Sequence, residues 1–180
     1  MERNLTHVAL FAALIAVLGL VPRIDLLAGV PITAQSLGIM LCGTVLGAKR
    51  GALAVVLFLV LVALGLPLLA GGRGGLGVFA GPSVGFLVGF PIAAFVIGMI
   101  VERWRVPVGL AAFVGALIGG IGVLYIFGIS GMALILGKSL PEAAALATPF
   151  LVGDVIKAGL AAAVTRALHR VRPGALLSRP

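Results

Sequence analysis

The chain has 180 residues, of which 62% are apolar and only 10% are charged, and its mean hydropathy is +1.30. This composition lies far outside that of soluble globular proteins, so we predict a polytopic membrane protein without a soluble domain. The 13 Lys and Arg residues outnumber the five Asp and Glu residues and give a net charge of +8. We interpret that charge as a topological signal and expect contact with the lipid bilayer but no nucleic-acid partner.

About 20 apolar residues are needed to cross a hydrocarbon core about 30 Å thick. Charged residues, Pro and Gly divide the chain into six apolar stretches, the first two of them short for a full crossing. In chain order they are residues 5–21, 32–48, 51–69, 83–101, 107–129 and 150–168. We therefore predict an all-α membrane protein with six transmembrane helices in one bundle, residues 1–180 forming a single domain. Residues 134–136 and 143–147 are compatible with either a loop or an interfacial helix.

The distribution of basic residues predicts the orientation of the bundle, because short cytoplasmic loops are enriched in Lys and Arg. With the N-terminus inside, the outer side holds three basic residues, Arg23, Arg73 and Lys138. The inner side then holds nine, namely Arg3, Lys49, Arg50, Arg103, Arg105, Arg166, Arg170, Arg172 and Arg179. We therefore expect both termini to be cytoplasmic.

The last apolar stretch contains an acid and a base, Asp154 and Lys157. A charge at mid-membrane costs about 2.5–3.5 kcal/mol on the insertion scale, so ionisable residues there are candidates for function. The alternative is mutual neutralisation, because positions i and i+3 share one helix face. If the sixth span starts near residue 150, the pair lies about 6–11 Å below the outer boundary. A carboxylate-bearing solute could pair there with Lys157, while Asp154 accepts from ligand N–H groups.

The loop after the third span is too glycine-dense to hold a regular element. We predict that it is a mobile or tightly turned lid, with Arg73 meeting the anionic end of a ligand or remaining a solvated loop charge. We expect the polar start of the second span, Thr33 with Gln35 and Ser36, and the loop at residues 21–31 to converge on the same outward-facing pocket. For Thr33 and Gln35 the alternative is interhelical hydrogen bonding. The lid glycines are Gly71, Gly72, Gly74, Gly75 and Gly77.

Two short catalytic motifs match by chance. Residues 72–77 fit G-x-G-x-x-G, but they lie between membrane spans without an acid before Glu102, so we reject dinucleotide binding. Residues 81–85 fit G-x-S-x-G around Ser83, but both histidines lie at the opposite membrane face. A Ser–Lys hydrolase using Lys157 remains a minor alternative; Pro82 and Ser83 more simply start a helix.

Other motifs and residue clusters that support catalysis are absent from the sequence. It has no G-x-x-x-x-G-K-[ST] motif, one cysteine and two histidines. We therefore expect no enzymatic activity, no metal and no cofactor, and active uptake would need another polypeptide or an ion gradient. Small residues four positions apart on the first span suggest close helix packing: Ala9 with Ala13, and Ala12 with Ala16.

Four segments together resemble the BioY family, the biotin-specific substrate-binding (S) components of energy-coupling-factor (ECF) transporters. They are Pro31-Ile-Thr-Ala-Gln35, Gly65-Leu-Pro67, Gly74-Gly-Leu-Gly77 running to Gly81-Pro82-x-x-Gly85, and Phe150-Leu-Val-Gly-Asp154-Val-Ile-Lys157. The resemblance covers essentially the whole chain. It implies six helices in the cytoplasmic membrane that capture biotin from the outer side. The vitamin would pass inward with a transmembrane coupling (T) subunit and cytoplasmic ABC-type ATPases.

The resemblance also implies roles for single residues. Asp154 and Lys157 match the family's ligand-binding acid and lysine, and alanines of the first helix match its docking face for the T subunit. That face nominates Ala9 and Ala13, with Ala12 and Ala16 behind them. Phe86 stands where the family usually has a tyrosine.

Our hypothesis is that Lys157, with Arg73, receives the biotin carboxylate and Asp154 the ureido N–H groups. The open alternatives are an S component for another small vitamin and a stand-alone channel or proton-coupled carrier.

Overall fold

A computed structural model describes residues 2–23 and 30–179. Within these residues the chain forms six longer helices, two short 3-10 helices (Leu76–Ala80 and Pro173–Ala175) and no strand, which confirms the predicted all-α fold. The helices are α1 (Glu2–Leu18), α2 (Gln35–Leu46), α3 (Ala48–Ala63), α4 (Val84–Arg103), α5 (Val108–Leu136) and α6 (Leu140–Val171). The part of the predicted pocket loop at residues 24–29 lies outside the described residues.

The last three helices are the longest. α4, α5 and α6 have 20, 29 and 32 residues and are apolar enough to cross a membrane, whereas α1 and α2 are shorter. Two helices exceed the predicted spans, because α5 continues to Leu136 and α6 begins at Leu140. Residues 134–136 and 143–147 are therefore helical parts of α5 and α6.

The early start of α6 has a local cause. Ser139 and Glu142 form a capping box, in which the Ser139 N–H donates to Glu142 Oε2 over 2.8 Å, and a proline occupies the first turn. The capping box provides acceptors for N–H groups that have none within the helix, and the proline has no N–H that would need one. Asp154 is fourteen residues into the helix, about 21 Å along its axis from Leu140. The predicted depth of 6–11 Å was counted from a helix start at residue 150. Counted from the observed start at Leu140, Asp154 lies farther along the helix axis.

α4 lies at the centre of the bundle and contacts α2, α3 and α5. α2 and α5 each contain a π-helical turn, Cys42–Leu46 and Ile118–Val123, and both turns pack on α4. Glycines make this approach possible: a Cβ at Gly43 would lie 2.6 Å from the carbonyl oxygen of Ala94. Ile97 of α4 is fully buried between the two turns.

Successive helices run in opposite directions, so the loops collect at two ends of the bundle. The basic end is where α2, α4 and α6 finish; it carries Lys49, Arg50, Arg103, Arg105, Arg166, Arg170 and Arg172. The loop end is formed by residues 30–34, 64–83 and 137–139. Which end faces the cytoplasm stays a prediction.

The chain after α6 folds back onto the basic end. The hydroxyl of Ser178 donates to the Thr44 carbonyl oxygen at 2.6 Å, and Arg179 Nε donates to the Val101 carbonyl oxygen at 2.7 Å. Leu176 and Ser178 are almost fully buried. The tail thus provides partners for carbonyls at the ends of α2 and α4, which lack intrahelical donors.

Candidate ligand-binding site

A cavity lies at the loop end, among α2, α4, α5 and α6 and the loops beside them. It contains about 600 Å³ of empty space, its opening included. Aromatic side chains, Phe86, Phe90 and Phe150, form much of its apolar wall. The polar lining residues are Thr33, Gln35, Ser36, Arg73, Ser83, Asp154 and Lys157. Mainly apolar walls with a few convergent polar groups are typical of a site for a small molecule.

Asp154 and Lys157 meet at the wall of this cavity. Lys157 Nζ donates to Asp154 Oδ1 at 3.0 Å and to the Ser36 hydroxyl at 2.9 Å, while Ser36 in turn donates to Asp154 Oδ1 at 3.1 Å. The Tyr125 hydroxyl donates to Asp154 Oδ2 at 2.9 Å. The acid and base predicted to share a face therefore do so, and side chains from α2 and α5 complete the cluster.

The cluster retains hydrogen-bonding capacity after these bonds are counted. A carboxylate offers about four acceptor positions, and Ser36, Lys157 and Tyr125 occupy three of those on Asp154. An ammonium group has three donors, and Lys157 uses two within the described part of the chain. One acceptor position and one donor therefore remain on adjacent groups, and a ligand that carries a donor next to an acceptor would match them.

Gln35 has a different role from its neighbours in the lining. Its side-chain amide donates to the carbonyl oxygens of Ile15 and Leu68 at 3.1 and 3.0 Å and accepts from the Ala70 N–H at 3.0 Å. Both amide hydrogens are used, and the residue is 2% exposed. Gln35 thus fastens α1, α2 and the loop after α3 together, as its structural alternative predicted. Thr33 lines the cavity while its hydroxyl accepts from the Gln35 N–H at 3.2 Å.

The glycine-rich loop is tightly turned. The Leu69 N–H donates to the Arg73 carbonyl oxygen at 3.0 Å, and the Gly75 N–H donates to the Val62 carbonyl oxygen at 2.7 Å. Gly71 has a φ of +80° and packs against the Arg23 guanidinium, so a side chain there would be strained and would clash. The turn presents Arg73 to the cavity, while Arg73 Nε donates to the Ala70 carbonyl oxygen at 3.3 Å.

The bonds that Tyr125 and Ser36 make to Asp154 are not predicted by the sequence. The sequence favours packing for Tyr125 and places Ser36 only at the polar start of the second span. Tyr125 does pack, since its ring meets Phe86 edge-on with centroids 6.2 Å apart, but its hydroxyl also binds Asp154. The hydroxyl beside Phe86 thus comes from α5. No local pattern could reveal it, because Tyr125 and Asp154 are 29 positions apart.

The positions of Ser83 and Lys157 do not support the hydrolase alternative. Ser83 is on the cavity wall, but the hydrogen bonds of Lys157 to described residues go to Ser36 and Asp154. A serine nucleophile needs a base within hydrogen-bonding reach, and no bond among the described residues joins Ser83 to Lys157.

The α1 alanines divide between two faces. Ala9 and Ala13 are exposed, whereas Ala12 is 3% exposed and Ala16 packs against the core. The outward face of α1 is thus a strip of small residues at Ala9 and Ala13, flanked by exposed Leu5, Leu10 and Val17. Ala12 and Ala16 support this face from inside the bundle.

Six apolar helices, four of them around a cavity with an acid–base pair on its wall, are typical of a membrane protein that binds a small solute. The model of the BioY family matches residues 2–174, and the chain belongs to that family, as the sequence predicted. The biotin transporter BioY of Rhodobacter capsulatus is 56% identical over 189 residues, covering 99% of this chain and 100% of the relative. The biotin transporter BioY of Rhizobium etli is 51% identical over 173 residues, 92% of each chain.

A solved structure extends this relationship to the fold. The crystal structure of the S-component for biotin from an ECF-type ABC transporter superposes with a TM-score of 0.89 at 31% identity. The match covers 94% of this chain and 92% of the other. Its family and fold therefore place this chain among transporter components and not among enzymes.

Proposed function

We propose that this chain binds biotin in the cavity at the loop end and serves as the substrate-specific component of an ECF-type biotin transporter. The observation that carries the proposal is the hydrogen-bonded Asp154–Lys157 pair on the wall of an open, mainly apolar cavity. The names of its relatives supply the ligand. A T subunit and ATPases on separate chains would provide the energy, since the sequence lacks a P-loop.

The geometry of the pair changes the expected pose of the ligand. Lys157 Nζ and Asp154 Oδ1 are 3.0 Å apart, so both meet the same end of a ligand. In biotin the ureido group and the carboxylate are separated by a bicyclic ring and a four-carbon chain. We therefore assign both residues to the ureido group, whose N–H donates to Asp154 and whose carbonyl accepts from Lys157. This pairing uses the remaining acceptor and donor of the cluster.

The carboxylate of biotin then belongs at the other side of the cavity. A carboxylate beside Asp154 would meet a like charge, which disfavours that arrangement. Arg73 lines the same cavity from the glycine-rich turn and can form a charge-assisted hydrogen bond with it. The apolar ring and chain of biotin would lie along Phe86, Phe90 and Phe150.

Mutual neutralisation of Asp154 and Lys157 explains less of the structure than ligand binding does. It explains why Asp154 and Lys157 are together, but not why Ser36 and Tyr125 hold the carboxylate at a cavity wall. A largely buried ion pair on the wall of an open cavity, with hydrogen-bonding positions still to be filled, is the arrangement that a ligand would complete. The glycine-rich turn would close over the bound ligand, and the Ala9–Ala13 face would meet the T subunit.

Calorimetry of the purified protein with biotin and two analogues tests both the ligand and its pose. Biotin methyl ester removes the carboxylate charge, and 2-iminobiotin replaces the ureido oxygen. We expect both to bind more weakly than biotin, and Arg73→Gln to lower affinity for biotin without affecting the ester. Absence of biotin binding at micromolar concentration would refute the proposed ligand. An ester penalty that persists in Arg73→Gln would refute the pose only.

A further inference from the structure

The basic end carries two grooves that the proposed function does not use. They lie on either side of Met99 and Arg103, which belong to the walls of both. The first lies between the start of α3 and the end of α4 and has about 960 Å³ of empty space, its open side included. The second, with about 690 Å³, lies beside Trp104. Together they flank one ridge of α4.

The rim of the first groove is positively charged. Lys49, Arg50 and Arg103 line it against a single carboxylate, Glu102, so three positive charges and one negative charge leave +2. Glu102 Oε1 is already an acceptor for the Ala48 N–H at 2.9 Å. Arg50 Nη1 donates to the Leu177 carbonyl oxygen at 3.2 Å, which fixes the guanidinium at the groove.

Further positive charge lies close to this rim. Arg179 binds the carbonyl oxygens of Val101, Val106 and Trp104 at the end of α4. Burial and the neighbouring Arg105 guanidinium lower the pKa of Arg179 below its ordinary value. Like charges held this close indicate a local field that favours an anion.

Below the rim the groove is apolar. From Arg103, the same face of α4 continues through Met99 and Phe95, four and eight residues earlier, or about 6 and 12 Å along the axis. Phe95 is 40% exposed, although it lies well inside the helix. Trp104 is 41% exposed next to Arg103, and tryptophan favours the headgroup level of a bilayer. The groove thus passes from a cationic rim at headgroup level to an apolar wall at hydrocarbon depth.

We propose that this groove binds one anionic phospholipid. Its phosphate would sit at the rim formed by Lys49, Arg50 and Arg103, and its two acyl chains would follow the two grooves on either side of Met99. The net charge favours an anionic over a zwitterionic headgroup. A lipid held here would join the start of α3, the end of α4 and the C-terminal tail, since Leu177 and Ser178 form the remaining wall.

Native mass spectrometry of the full chain in mixed micelles can test this site by titration with dioleoyl phosphatidylglycerol or dioleoyl phosphatidylcholine. A basic residue at an anionic surface is worth about 1 kcal/mol, or about fivefold in affinity. The double variant Lys49→Gln/Arg103→Gln should therefore bind phosphatidylglycerol about 25-fold more weakly. The matched control Arg170→Gln/Arg172→Gln removes two charges from the same end but outside the groove, and should change binding less than about twofold. Circular dichroism and size-exclusion chromatography check folding.

A charge-neutral variant distinguishes binding of the acyl chains in the grooves from electrostatic attraction of the headgroup to the protein surface. Met99→Trp should widen the ridge and narrow the two grooves beside it. Phosphatidylglycerol binding should then weaken although no charge changes. Equal binding of the two lipids by the unaltered protein would overturn the proposal. So would equal losses in the two double variants, which would indicate general surface attraction. Unchanged lipid binding in Lys49→Gln/Arg103→Gln, with loss of association with coupling subunits, would assign the groove to a protein partner instead.

Discussion

Replacing Asp154 by Asn tests whether the intramembrane pair binds ligand or only balances charge. The carboxylate accepts hydrogen bonds from Ser36, Tyr125 and Lys157, and an amide oxygen keeps part of this set while losing the charge. Breaking a buried ion pair costs about 3–5 kcal/mol because one charge is left without its partner. We expect the lower end, about 3 kcal/mol, since the Lys157 side chain is 15% exposed and can still donate to the new amide.

The expected loss of affinity follows from a different contact. A hydrogen bond to a charged group contributes about 1.5–3 kcal/mol, and 1.4 kcal/mol is a factor of ten in binding. Loss of the Asp154 charge should therefore weaken biotin binding about 10- to 150-fold. Calorimetry measures this loss, and thermal unfolding without ligand measures the cost in stability.

The double variant Asp154→Asn/Lys157→Gln distinguishes the two explanations. It removes both charges, so stability without ligand should recover relative to Asp154→Asn alone under either explanation. Affinity should stay low if the pair binds the ligand, because a neutral amide pair forms weaker bonds with the ureido group. Wild-type affinity in the double variant would refute the ligand-binding role and restore mutual neutralisation as the sufficient account.

Three further predictions address the surroundings of the site. Gln35→Ala removes the side-chain partner of the Leu68 carbonyl oxygen and of the Ala70 N–H, while the Ile15 carbonyl oxygen keeps the Gly19 N–H. It should lower the free energy of unfolding by about 1–3 kcal/mol, measured by thermal unfolding without ligand. Tyr125→Phe keeps the edge-on contact with Phe86 but removes one bond to Asp154; biotin affinity by calorimetry should fall about two- to tenfold, and no change would exclude the hydroxyl from the site. Ala13→Leu should abolish cellular biotin uptake but not biotin binding to the purified protein. The control Ala163→Leu, at another exposed helix position, should affect neither. Equal uptake by both variants would refute the docking role of α1.

Much of the site was predictable where its signal is local. The i, i+3 spacing of Asp154 and Lys157 put the two on one helix face before any fold was known, and they do form an ion pair. The density of glycine predicted the turn that carries Arg73, where Gly71 requires a positive φ. Hydropathy predicted all six helices, but it placed the start of α6 ten residues late, because a helix start made by polar caps and a proline has no hydropathy signal.

The remaining features depend on contacts between distant parts of the chain. Ser36 reaches Asp154 across 118 positions. The backbone partners of the Gln35 side chain lie 20, 33 and 35 positions away, so its role in packing has no local signal. The proposed pose of the ligand follows from a distance and not from spacing alone, because Lys157 Nζ and Asp154 Oδ1 lie 3.0 Å apart.

By itself the sequence determined the membrane environment, the helix number, the family and the acid–base pair, because apolar length and short spacings act within one helix. The tertiary structure alone decided what surrounds that pair: the cavity, the bonds from Ser36 and Tyr125, and the closure of Gln35 on the backbone. Those depend on how helices far apart in sequence pack against α4, where glycines allow close approach. Packing of this kind is a property of the assembled bundle, since each helix contributes only one wall.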